Sequence, residues 1–107
     1  MELTKNQRAV LNLLTEGQLR ITTAEISDLT GMSRRVIADT IDTLIRKGVP
    51  IVAERHKPDN GYYIASNREE LYRGIAQYKQ QMMTEKRRIS ALTSIDLDSW
   101  KEKGWEK

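Results

Sequence analysis

The chain has 107 residues, no cysteine and a single histidine, His56. That length suits one domain, and the composition excludes disulfides, thiol nucleophiles, thiolate zinc sites and a histidine-rich metal cage. Eighteen basic against fifteen acidic residues give a net charge of +3, a mild bias toward nucleic acid, and no run approaches the roughly 18 apolar residues of a membrane span. The start, Met1-Glu2-Leu3-Thr4, does not read as a signal peptide, so none is expected,. A soluble cytoplasmic protein without cofactor or membrane partner is expected.

The first helix opens on a capping-box pattern, Thr4 with Gln7, followed by apolar Val10, Leu11, Leu13 and Leu14,. Gly17 is expected to stop it as a left-handed residue. A short extended piece, Leu19-Arg20-Ile21, leads to a second box, Thr22 with Glu25. The short helix that follows turns Ile26 and Leu29 inward and stops at Gly31. Ser33 caps a third helix, whose spacing of threes and fours buries Val36, Ile37, Ile41, Leu44 and Ile45 before Gly48 closes it,. Two strands, Ile51–Arg55 and Tyr62–Ala65, flank the turn formers Pro58, Asp59, Asn60 and Gly61,.

Ser66 with Glu69, or Asn67 with Glu70, opens a last long helix. Its stripe is Leu71, Ile75, Tyr78, Met82, Ile89 and Leu92, a heptad seam with one polar gap at Glu85,. Gly74 lies inside it and costs about 1 kcal/mol relative to alanine, which predicts a kink there. The end of the chain carries Ile95, Leu97, Trp100 and Trp105 among charges. This order predicts a mainly α protein with a small β-hairpin wing: a winged helix-turn-helix over 1–65, a long helix over 66–93 and a charged tail over 94–107. The first stretch carries nine basic and eight acidic groups, the second six and three, the third three and four. A nearly balanced body thus bears a basic arm and a slightly acidic tip.

The helix starts carry the functional signal. The other helices open with a Gln or Glu cap partner, which suits the positive end of a helix dipole. The helix at Ser33 opens with Arg34 and Arg35 instead, at a cost of about 0.3–1 kcal/mol each when exposed. An anion at that spot removes the cost, because free N–H groups, a hydroxyl and two guanidinium groups converge there. In a helix-turn-helix the start of the second helix is what reaches base edges. The expected DNA-binding residues are therefore Ser33, Arg34, Arg35, Ala38 and Asp39. The wing adds Arg55, His56 and Lys57 against the sugar-phosphate backbone. The bland alternative is solvated charge, with Arg35–Asp39 and Asp42–Arg46 as ordinary i, i+4 pairs.

Thr22-Thr23-Ala24-Glu25-Ile26, Gly31-Met32-Ser33-Arg34, then Ile37, Ile41, Leu44, Gly48-Val49 and Gly61-Tyr62 resemble the winged-helix domain of the biotin operon repressor family. The likeness covers roughly residues 5–65. It implies DNA reading by the helix from Ser33, with Ser33, Arg34 and Arg35 at the matching contact positions. The residues after 65 are not expected to form a biotin-ligase domain, so ligase activity is not implied. Departures are Asp39, Asp42 and a longer, more polar wing. Small stand-alone proteins of this shape are similar to those encoded by bacteriophages and other mobile elements, which is the origin the resemblance implies.

A helix from 67 to 92 would be about 39 Å long, against a body about 28 Å across. The far stripe needs cover, and a second copy supplies it. A homodimer through Leu71, Ile75, Tyr78, Met82, Ile89 and Leu92 is expected, with fold-back onto the body as the alternative. Trp100 and Trp105 are candidates for docking a protein partner or for packing on the domain. Three readings compete: a dimeric transcriptional regulator binding double-stranded DNA, a protein-interaction module on the same scaffold (a phage replication accessory factor or an inhibitor of host machinery), and an enzyme. The sequence offers no nucleophile–base pattern, phosphate loop or metal-ligand spacing,, so a non-enzyme is expected.

Overall fold

Side-chain caps set where the helices begin. In the computed structural model, which describes residues 2–17, 20–57 and 60–104, Thr4 Oγ1 accepts the Gln7 N–H at 3.2 Å and Gln7 Oε1 accepts the Thr4 N–H at 3.1 Å. This reciprocal box starts α1 (Lys5–Glu16),. Thr22 and Glu25 repeat it at 3.1 and 3.0 Å and start α2 (Thr23–Thr30). Ser33 caps α3 (Arg34–Arg46) through its hydroxyl alone, which accepts the Val36 N–H at 3.2 Å. Asn67 Oδ1 accepts the Glu70 N–H at 2.9 Å and starts α4 (Arg68–Thr93). Of the two openings expected for α4 the Asn67–Glu70 one forms, and the Glu70 carboxylate reaches one residue further, to the Ser66 N–H at 2.7 Å.

The helices pack through narrow stripes. Val10 and Leu14 of α1, Ile26 of α2, Ile37, Ile41 and Leu44 of α3, and Ile51 form the buried cluster. Three residues expected inside lie outside it: Leu29 is 66% exposed, Val36 38% and Ile45 37%. At about 100° per residue, the inner face of α2 runs through Thr23, Ile26 and Thr30, so Leu29 falls beyond its edge. In α3 the buried row also takes Thr40, whose hydroxyl is satisfied by the Val36 carbonyl at 2.7 Å. Val36 and Ile45 flank that row on opposite sides.

Strands β1 (Ile51–Glu54) and β2 (Gly61–Ile64) pair antiparallel, Ile51 opposite Ile64 and Glu54 opposite Gly61. Each is placed within one residue of its expected limits. The extended piece before α2 joins them at Ile21, which exchanges both backbone hydrogen bonds with Tyr62 at 3.0 and 2.7 Å. Leu19, Pro58 and Asp59 lie outside the described residues. Gly61 sits at φ 138°, and a Cβ on it would fall 2.9 Å from the Ile21 carbonyl carbon, so the junction requires glycine.

One expectation about another glycine fails. Gly17 is extended (φ −83°, ψ 144°) rather than left-handed, which suits a chain about to pair as a strand at Ile21. Gly74 does not interrupt α4. It is buried, and a Cβ on it would lie 2.3 Å from Val52 Cγ1. The glycine lets the α4 backbone close on β1.

The chain falls into two compact units, residues 1–77 and 78–107. The first holds α1 to α3, the hairpin and the start of α4. The second holds the rest of α4 and a 3-10 turn, Trp100–Lys103. Among the described residues no helix is long and apolar enough to cross a membrane.

Candidate nucleic-acid interface

The turn between α2 and α3 is three residues long and closely tied. Gly31, left-handed at φ 77°, donates its N–H to the Ser27 carbonyl at 2.8 Å. The Ser27 hydroxyl donates to the Met32 carbonyl at 2.8 Å, while Thr30 Oγ1 accepts the Met32 N–H at 3.2 Å. Met32 packs partly against the core. These bonds fix the direction in which α3 leaves the turn, and with it the aim of its first residues.

At that end Ser33, Arg34 and Arg35 are exposed, and no acidic residue occupies the first turn. The Val36 and Ile37 N–H groups are taken by the Ser33 hydroxyl and carbonyl, at 3.2 and 3.0 Å. The Arg34 and Arg35 N–H groups have no acceptor among the described residues. Neither guanidinium enters an ion pair there, although Asp39 stands one turn from Arg35. Two cations and two backbone donors thus face solvent together, the arrangement that favours an anion at a helix start.

Further along, Ala38 and Asp39 are exposed on α3. The second outward carboxylate, Asp42, is neutralised by Arg46 at 2.7 Å. The bland pairing therefore forms at Asp42–Arg46 and not at Arg35–Asp39. Acid-before-base is the better order along a helix, which matches that difference.

Arg55, His56 and Lys57 are exposed where the hairpin leaves β1. Glu54 organises them. Its Oε1 accepts the His56 N–H and contacts His56 Nδ1, both at 3.0 Å, and its Oε2 accepts from Gln77 Nε2 at 3.3 Å. Gln77 Oε1 in turn accepts the Arg55 N–H at 3.2 Å. The His56 backbone and ring bonds hold the Glu54 carboxyl at about 2, well below its ordinary value. Sequence reasoning missed both partners. The i, i+2 spacing of Glu54 and His56 was legible, whereas Gln77 lies 22 residues from Arg55 and gives no local signal.

The stripe of α4 divides. Leu71 and Ile75 are half-buried within the first unit. Tyr78, Met82, Ile89 and Leu92, in the second, are 40%, 63%, 64% and 62% exposed. Trp100 is 43% exposed, with Lys101 Nζ 5.6 Å from its ring centre. Trp105 lies outside the described residues.

Comparison with curated proteins finds no match. A family model described as an HTH domain (HTH_11) matches residues 6–63, from α1 to β2, and this is more than half of the chain. The match is to the helix-turn-helix class at large, and the biotin repressor likeness remains one of the quoted motifs. With helices leading into a two-stranded hairpin, the chain belongs to the HTH domain family, in winged form, and is a DNA-binding helix-turn-helix protein.

Proposed function

We propose that this protein is a transcriptional regulator that reads double-stranded DNA in the major groove with the start of α3. Ser33, Arg34 and Arg35 meet phosphate and base edges, Ala38 and Asp39 follow along the groove, and Arg55, His56 and Lys57 lie on the sugar-phosphate backbone. The carrying observation is the Arg34–Arg35 start of α3, unpaired among the described residues and with no acid in its first turn, in a chain whose other capped helices carry acid or amide partners there. The protein works by binding, not catalysis, in the cytoplasm of a bacterium or of an infected host cell. It acts as a homodimer through the exposed stripe of α4, so that two reading heads meet a two-fold site.

Duplex binding measured across a salt series tests this reading. Affinity falls steeply with salt, because it rests on phosphate neutralisation. Replacing both Arg34 and Arg35 by alanine weakens specific binding by about 1–3 kcal/mol for each arginine on a base. Unchanged binding by that double variant overturns the assignment of α3.

A second reading has one observation in its favour. Met82, Ile89, Leu92, Leu97 and Trp100 are all exposed, which suits a protein-interaction module that uses the winged-helix shape as scaffold, of the kind that serves phage replication or inhibits host machinery. No gel shift against pooled random duplexes at low salt would favour it.

A further inference from the structure

We infer that Asp39 is a base-reading residue, which together with Arg35 selects a cytosine and a guanine placed one or two base pairs apart. The inference rests on the proposed DNA reading by α3 and specifies what that helix reads.

Opposite the buried row Ile37, Ile41 and Leu44, the outermost positions of α3 are Arg35, Asp39, Asp42 and Arg46. All four are exposed. The second half of this row is self-satisfied through the 2.7 Å Asp42–Arg46 pair. The first half is not: neither the Arg35 guanidinium nor the Asp39 carboxylate is engaged by a side chain among the described residues. Beyond the helix's own backbone bonds, Asp39 is engaged at its carbonyl, which accepts the Thr43 hydroxyl at 2.9 Å.

Donor and acceptor inventory then decides which base each side chain can take. Arginine only donates and an ionised aspartate only accepts. Guanine shows two acceptors in the major groove, which fits the arginine fork. A carboxylate is repelled by guanine N7 and O6 and by thymine O4, and on adenine it meets the N7 acceptor beside the N6 donor. Cytosine offers its N4 donor with no acceptor on its own groove edge, so it is the base a carboxylate selects. One helical turn advances about 5.4 Å and one base step about 3.4 Å, which sets the separation. An unpaired carboxylate also repels phosphate, so Asp39 lowers affinity for every sequence lacking the cytosine. It works by exclusion as much as by attraction.

Selection of duplexes from a random pool, run in parallel with the unchanged chain, D39A, D39N and R35A, tests this. The unchanged chain enriches a cytosine one or two pairs from a guanine. D39A loses roughly 5- to 150-fold of discrimination at the cytosine, keeps the guanine and binds random duplexes more tightly. D39N moves the preference from cytosine to adenine, the base an amide pairs with, and R35A loses the guanine alone. The same consensus from D39A as from the unchanged chain overturns this inference and leaves the reading of DNA by α3 standing. Failure of the unchanged chain to retain any duplex overturns both.

Discussion

Val52 Cγ1 lies 2.3 Å from where a Cβ on Gly74 would stand, too close for both to fit. The two residues come from β1 and α4, and their close approach fastens the first turns of α4 to the base of the wing. Helix propensity alone says that Gly74→Ala should stabilise by about 1 kcal/mol. Packing says the opposite. Val52 is 2% exposed and has a stiff, branched side chain, and overfilling such a site costs about 1–3 kcal/mol. We expect Gly74→Ala to lower stability by roughly 1–2 kcal/mol, read by urea unfolding. A double-mutant cycle with Val52→Ala should show the two changes coupled, and a stabilised single variant would refute the contact.

The cap at Ser33 makes a smaller, cleaner prediction. Among the described residues its hydroxyl is the only side-chain acceptor supplied to the first turn of α3, so Ser33→Ala should cost about 1 kcal/mol. For a domain of this size that is a fall of about 4–8 °C in melting temperature. Ser33→Asp should restore most of it, since aspartate caps equally well and suits the dipole. An aspartate there would nevertheless weaken DNA binding by repelling phosphate. Scanning calorimetry and a duplex titration on the same two variants separate the roles.

Glu54 sets the pH response of the wing. With its folded value about 2 against an ordinary 4.5, the carboxylate contributes stability that is fully present above pH 4.5. That contribution is lost as pH falls through 4.5 toward 2. Carbon-detected NMR of the Glu54 carboxyl should give a midpoint near 2, with the His56 and Arg55 amides losing hydrogen-exchange protection over the same window. A midpoint near 4.5 would mean that the clamp through His56 and Gln77 does not form in solution.

The exposed stripe of α4 predicts the state of assembly. At tens of micromolar the chain should sediment as a pair. Met82→Asp with Ile89→Asp should convert it to a single chain, because each change places a charge in an apolar seam. Both positions are more than 60% exposed, so the fold of the first unit should keep its stability within about 0.5 kcal/mol. A single chain before substitution would remove the homodimer from the proposal.

The sequence by itself determined where each major helix begins and in what order the elements follow. Thr4–Gln7, Thr22–Glu25, Ser33–Val36 and Asn67–Glu70 are all contacts within four residues, so the reason for each helix start is contained in its own local stretch. The paired arginines of α3 were legible for the same cause. Only the tertiary structure decided that Gly74 is a point of close approach and not a break in α4, that Gly61 must admit the backbone of Ile21, and that Gln77 completes the clamp on the wing. These depend on partners 22 to 40 residues away, whose distances no local pattern encodes. Leu29, Val36 and Ile45 were misjudged for a related reason: periodicity marks an apolar face, but the neighbour packed on it sets how wide that face becomes.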